Sequence, residues 1–228
     1  MAEILVTGLR KRLGRVEALR GVDLSLEAGE LVGLVGADAA GKTTLLRCIA
    51  GLYRPDAGTV LPGLAGQGRI GFAQQGFHLY GELTVDENVA FLGGLYGLSH
   101  DLLVRRAAEL LRFAGLDEHH AQRAASLSGG MKQKLTLVCS LLHRPPILLL
   151  DEPTTGVDPV SRREFWGLIE QLHIEGSTIL LASAYFDEVQ RCERVIYLDQ
   201  GRVLAEGTPD ALRGERASLE AAFVARTA

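Results

Sequence analysis

The 228 residues are 47% apolar and carry 24 basic against 28 acidic side chains, a net charge of -4. That much apolar material can build the core of one large α/β domain or of two small lobes, and it excludes a disordered or fibrous chain. The near balance of charge gives no sequence-wide footprint for wrapping nucleic acid and leaves only a local basic patch as a route to it, so no nucleic-acid partner is expected.

In chain order, β-branched and leucine-rich runs at residues 4–9, 22–26 and 31–35 read as strands separated by glycine-containing turns. The third runs straight into a glycine-rich loop. Residues 44–50 then read as a helix stopped by Gly51, and residues 70–73 as another buried strand. From about residue 84 to 144 the periodicity is helical: Thr84 and Glu87 match a capping box, and residues 101–114 carry apolar side chains three and four apart before Gly115. Beyond Pro146 strands at 147–150, 178–183 and 195–198 alternate with helices starting at Pro159 and near Glu188. Asp199-Gln200-Gly201 reads as a hairpin turn, and Thr208-Pro209 as the start of a short helix. This order predicts an α/β fold with a mainly parallel sheet and an inserted helical lobe.

The longest apolar runs, 147–150 and 179–182, are far below the roughly 20 residues needed to span a bilayer. Met1-Ala2-Glu3-Ile4 lacks the basic start and long apolar stretch of a secretory signal, so a cytosolic location is expected. Cys48, Cys139 and Cys192 are odd in number and widely spaced, in segments that read as helical. They suggest neither a disulfide framework nor a zinc site, and a reducing compartment fits them best.

Gly36-Ala37-Asp38-Ala39-Ala40-Gly41-Lys42-Thr43, followed by Thr44, satisfies the P-loop pattern between a hydrophobic strand and an apolar-periodic helix. Concentrated phosphate charge needs exposed backbone N–H groups, small residues that allow close approach, and a helix N-terminus aimed at the anion. Lys42 would reach the β- and γ-phosphates of a nucleotide, and the Thr43 hydroxyl would help hold Mg²⁺. A second carboxylate for the metal is expected at the end of a buried strand, where Asp151 stands. Glu152, one residue further, is placed to orient or deprotonate an attacking water; its plainer reading is a solvated charge at a strand end. Ser128-Gly129-Gly130 precedes a strongly helical run, and its adjacent glycines expose N–H groups at a helix start. It implies a second anion site, or else a simple loop and cap.

GADAAGKTT, the glutamine-bearing FAQQGFHLY, LSGGMKQK and LLLDEPTTGVDP occur in this order, with Ser128 lying 23 residues before Asp151 (151 minus 128). In these motifs the chain resembles the nucleotide-binding domain of ABC transporters over nearly its whole length. It is most similar to bacterial drug-exporter-type ATPases, tandem exporter ATPases with GMKQKL and VDPxSRRE among them. The resemblance implies a P-loop NTPase core with an N-terminal antiparallel β-subdomain. Residues 1–75 and 147–228 would form the catalytic core, and about 76–146 the helical subdomain. It implies ATP and Mg²⁺ as cofactors, hydrolysis that energises transport, and export as the favoured direction. The chain would sit peripherally on the inner face of the cell membrane beside a transmembrane permease subunit. Gln75 would link the metal and attacking water to that permease, and Asp158 would sit in a loop communicating between protomers. Ser128, Gly129 and Gly130 would close over the γ-phosphate held by the P-loop of a second ATPase domain, in a homodimer or a heterodimer. The stretch Phe77-His78-Leu79-Tyr80 would line a groove for the permease, though as plain sequence it reads equally as local core.

Three positions depart from the pattern. Ala184 stands where a switch histidine normally contacts the γ-phosphate, Leu13 where an aromatic ring stacks on adenine, and Ala39 where the P-loop has glycine. An aromatic contact is worth about 0.5–1.5 kcal/mol of ground-state affinity, whereas one lost donor to transition-state charge costs about 2.7–4 kcal/mol, so Ala184 is the serious departure. Ala39 costs about 1–2 kcal/mol if its position is left-handed, which sequence leaves open. The weaker half of an asymmetric ATPase pair is therefore expected. The alternatives are an ordinary homodimer of slower turnover, a regulatory or structural subunit that clamps on ATP without cleaving it, and a soluble ABC-type ATPase. The spacing of 86 residues between Lys42 and Ser128 (128 minus 42) has no room for the long coiled coil of DNA-repair relatives.

Overall fold

The computed structural model describes residues 2–61, 70–76 and 78–227. Phe77, and most of a 58–70 stretch that looks short beside the ABC pattern, lie outside the described residues. Strands β1 (Ala2–Leu13) and β2 (Val16–Glu27) form a hairpin turned at Gly14, and β4 (Ala57–Leu61) adds to the other edge of β1. The result is an antiparallel sheet of order β2-β1-β4. Its inner face buries Ile4, Val6, Leu9, Leu19, Val22 and Leu26 against Leu45, Leu46 and Ile49 of helix α1 (Lys42–Ile49).

The second sheet has the order β5-β6-β7-β3-β8-β9. Strands β3 (Leu31–Val35), β5 (Ile70–Ala73), β6 (Ile147–Asp151), β7 (Thr178–Ser183) and β8 (Arg194–Asp199) run parallel, and β9 (Arg202–Gly207) closes it antiparallel. β3, β6 and β7 are buried at every residue, which explains their unbroken apolar runs. Helices α5 (Pro159–Ile174), α7 (Pro209–Arg213) and α8 (Leu219–Thr227) cover the face opposite α1, where Trp166, Ile169 and Phe223 enter the core. Helices α2 (Val85–Leu95), α3 (His100–Phe113) and α4 (Gly129–Leu141) share a third cluster around Val85, Leu116 and Leu135. Because β3, β5, β6 and β7 are parallel, their carboxyl ends all open on one edge. The phosphate loop, Gln75, Asp151 with Glu152, and Ser183 with Ala184 are thereby gathered there. Among the described residues no helix is long and apolar enough to cross a membrane.

The structure differs from the expectations at several edges. β1 continues through Arg10, Lys11, Arg12 and Leu13 because they pair with Arg20, Leu19, Glu17 and Val16 of β2, and Asp56 adds bonds from the Arg12 amide at 2.6 Å and Lys11 Nζ at 3.3 Å. β4 was not expected, its residues being mostly exposed. Helix α1 begins at Lys42, two residues before the expected start. The Thr84–Glu87 box forms with both of its hydrogen bonds, 3.1 and 2.8 Å. Cys48 and Cys139 are helical, but Cys192 lies in the bend after helix α6 (Phe186–Val189); all three are free and buried.

Candidate functional site

The loop between β3 and α1 is built almost wholly from backbone. Gly36 admits no side chain, since a Cβ there would sit 2.0 Å from Leu198 O, and Gly41 starts α1 at φ 110° with its own missing Cβ 2.6 Å from Ala18 O. Ala39 sits at φ 62°, in the left-handed region, so the conditional cost expected for it applies here. The Gly201 amide donates to Ala40 O at 2.9 Å, and Gly201 O accepts from the Arg20 amide at 2.8 Å. Gln200 and Gly201 both take positive φ, as a tight two-residue hairpin turn requires. A main-chain link thus runs from the loop through the β8-β9 turn into β2.

Lys42 is buried, its ammonium donating to Gly36 O at 2.9 Å and Ala37 O at 3.1 Å and lying 3.5 Å from Glu152 Oε1. Glu152 continues the β6-β7 ladder through its amide, which donates to Ala182 O at 2.8 Å, yet adopts φ 49°. Such a left-handed non-glycine residue costs on the order of 1–3 kcal/mol, and it turns the carboxylate into the opening. There Glu152 Oε2 accepts from Gln75 Nε2 at 3.1 Å and Thr155 Oγ1 at 3.3 Å. Thr43 Oγ1 donates to Asp151 Oδ1 at 3.1 Å. The Asp151 carboxyl is raised above its usual range, chiefly by burial, against the Thr43 hydrogen bond and with the neighbouring Glu152 charge adding to the rise.

A cavity of about 740 Å³ opens over this arrangement. Asp38 to Thr44, Gln75 and Glu152 line one end, and Leu13, Val16, Glu17, Ala18, Arg20 and Gln200 line the rest. Gly36 and Ala37 are not among the lining residues and serve Lys42 through their carbonyls. Of the residues at the other end, Leu13 is the one the sequence points to as a contact and Gln200 is read there only as part of a hairpin turn; no local motif marks Val16 or Arg20, and the β2 and β8-β9 link brings Val16, Arg20 and Gln200 to the cavity. Leu13 is 42% exposed, and no aromatic ring is among the described residues that line the cavity.

Ser128, Gly129, Gly130 and Asp158 do not line this cavity. Ser128 is exposed and caps α4, its hydroxyl accepting from the Met131 amide at 3.2 Å. A Cβ on Gly130 would lie 2.4 Å from Ser161 Cβ, so this glycine lets α4 pack against the start of α5. Asp158 caps α5, accepting from the amides of Val160 and Ser161 at 3.0 Å each. Those bonds, the one from Ser161 first, hold its carboxyl below the usual range.

A magnesium ion fits the donor set. Asp151 Oδ2 is buried without a hydrogen-bond partner, and Thr43 Oγ1 is bonded to the same carboxylate. No group of three or more His, Cys, Asp or Glu that could hold a metal occurs among the described residues. Mg²⁺ suits such a site, taking one or two protein oxygens and completing its shell with substrate phosphates and water.

The match to the ABC transporter family spans residues 19–155, more than half of the sequence. The chain belongs to the ABC transporter family. It is 41% identical over 221 residues to "Probable multidrug ABC transporter ATP-binding protein YbhF" of Escherichia coli K12, covering 92% of this chain and 38% of that protein. It is 38% identical over 216 residues to the Nod factor export ATP-binding protein I of Ralstonia nicotianae, covering 91% of this chain and 67% of the other. The chain therefore spans well under half the length of the first relative and two thirds of the second. Among solved ABC cassettes, a dimeric post-hydrolysis state of MJ0796 bound to ADP and Pi superposes with a TM-score of 0.80 at 29% identity, over 90% of this chain and 98% of that one.

Proposed function

We propose that this chain binds Mg-ATP and hydrolyses it to energise an ABC transporter, with export as the direction. One observation carries the reading: Lys42, Glu152, Gln75 and the Thr43–Asp151 pair converge on one end of a cavity whose floor is a P-loop. Lys42 would exchange its loop carbonyls for the β- and γ-phosphates. Glu152, held by Gln75 and Thr155, would orient a water for in-line attack and take its proton. Thr43 and Asp151, with Gln75 beside them, would hold the metal, which when bound neutralises developing charge on the phosphate oxygens.

A second ATPase domain is needed, because the Ser128-Gly129-Gly130 tip stays outside the chain's own cavity. Pairing head to tail, that tip would cover the triphosphate on the partner, with Asp158 at the junction; the dimeric state of the MJ0796 cassette with ADP and Pi supports the pairing of two such domains. Residues 1–75 and 147–228 would act as the catalytic core and 76–146 as the lobe that presents the tip. A permease subunit would hold the assembly peripherally on the inner face of the membrane. His78 and Leu79, next to Gln75, belong to the segment we assign to its groove.

Ala184 follows Ser183 at the open edge and offers only a methyl group, so we assign this chain the weaker site of an asymmetric pair. Phosphate release by the purified chain, alone and with a second ATPase domain, tests the reading. Mg-ATP uptake with slow release that rises on adding the partner supports it. Absence of Mg-ATP uptake at millimolar concentration in calorimetry on folded protein overturns it.

A further inference from the structure

Apart from the loop and its carboxylates, the described residues include one buried acid that the hydrolytic reading leaves without a task. Glu188 is 2% exposed, in the short helix α6 that follows Ala184. A carboxylate is kept out of water only where polar partners satisfy it, and Glu188 has two hydroxyl donors and one ion-pair partner, each from a different segment. Its Oε1 accepts from Thr154 Oγ1 and lies 3.5 Å from Arg162 Nε. Its Oε2 accepts from Ser183 Oγ at 2.7 Å.

Those segments are the ones that surround the reacting end of the cavity. Ser183 Oγ also accepts from the Tyr185 amide at 2.9 Å, so the two residues flanking Ala184 are tied to each other and through Ser183 to Glu188. Thr154 precedes Thr155, whose hydroxyl donates to Glu152. Arg162 belongs to the first turns of α5, the helix capped by Asp158, and its guanidinium lies 4.9 Å from the centroid of the Tyr185 ring. Helix α6 is too short to hold its own position by intrahelical bonds. Phe186 and Val189 pack its apolar side into the core, and the side chain of Glu188 supplies its polar ties to the 152–155 segment and α5.

We propose that Glu188 is a positioning residue: it clamps the 183–185 backbone to the 152–155 segment and to α5, so that the edge carrying Ala184 stays registered with Glu152. The proposal rests on the hydrolytic reading above. With only a methyl group at 184, the placement of this backbone is the contribution the segment can still make, and a misplacement of about 1 Å can cost a hundredfold in rate.

The test uses the full chain as wild type, Glu188→Ala, Glu188→Gln and Thr154→Val, in steady-state hydrolysis and amide hydrogen exchange. Glu188→Ala should lower kcat by about ten- to a hundredfold with KM for Mg-ATP within about twofold. The Tyr185 amide should exchange faster while the amides of β7 keep their protection. Glu188→Gln, which can still bond both hydroxyls, should recover most of kcat, and Thr154→Val should fall between. An unchanged kcat in Glu188→Ala, or in Thr154→Val should the alanine variant not fold, overturns the proposal. So does equal loss in the alanine and glutamine variants with protection lost throughout β7. Should the wild type not hydrolyse ATP even with a second ATPase domain present, the functional reading falls on its own. The exchange of Tyr185 then decides alone, faster exchange supporting the clamp and unchanged exchange overturning it.

Discussion

The two ends of the cavity are held in different ways. At the phosphate end, Lys42 has two carbonyls and a carboxylate, Glu152 has Gln75 and Thr155, and both Ala39 and Glu152 are kept in left-handed backbone. At the other end Leu13 and Val16 present aliphatic surface that is 42% and 65% exposed. Strain is tolerated where the surroundings over-determine the chain, and polar partners accumulate where charge must be met. Under the proposed function, this difference would have the chain grip a nucleotide by its phosphates and only lean on its base. Affinity and turnover should therefore respond to separate substitutions.

The largest effect should come from Glu152→Gln, with phosphate release falling by about 10²–10⁴-fold while calorimetry finds ATP affinity retained. Lost affinity instead would show that Glu152 shapes ground-state binding and would blur the separation. Ala184→His sharpens it from the opposite side. Restoring a donor to transition-state charge should raise kcat by up to about 10²–10³-fold at unchanged nucleotide affinity. No rise in turnover would count against the role assigned to position 184.

The same contrast governs how much could be read from the sequence. The phosphate end is made of neighbours along the chain, so residues 36–43 and the pair Asp151-Glu152 were legible as local patterns, as was the hairpin turn at Gln200-Gly201. The base end is assembled from β1, β2 and the β8-β9 turn, and Val16, Arg20 and Gln200 carry no local signal of belonging together. Glu188 was opaque for a related reason. Asp187 and Glu188 look like ordinary acids at a helix start, and only tertiary packing distinguishes the buried one. β4 escaped because an exposed edge strand lacks apolar alternation, and the last residues of β1 because Arg10, Lys11 and Arg12 resemble a solvated loop until their pairing with β2 is seen. The left-handed φ of Ala39 settles a cost that alanine's identity alone left open.

Smaller effects should follow at the base end and within the loop. Leu13→Tyr should tighten ATP binding about two- to tenfold, the worth of one aromatic contact at about 0.5–1.5 kcal/mol, with kcat unchanged. A changed kcat in that variant would mean that the base end communicates with the reacting end. Ala39→Gly is the smallest: relief of about 1–2 kcal/mol of left-handed strain is opposed by about 0.4–1 kcal/mol of added unfolded-chain entropy. A net gain of about 0.5–1 kcal/mol should appear as a higher urea midpoint at unchanged slope.

The hydrogen bonds from the Arg20 amide to Gly201 O and from the Gly201 amide to Ala40 O tie the small sheet to the phosphate loop without a single side chain. Such a joint depends on its own glycines, Gly41 and Gly201, at each of which a Cβ would lie 2.6 Å from Ala18 O, and makes no use of the side chains at the tip of the hairpin. Substitutions such as the leucine at position 13 can therefore accumulate on the hairpin while the geometry around Lys42 stays put, leaving one half of the cavity open to drift and the other insulated from it.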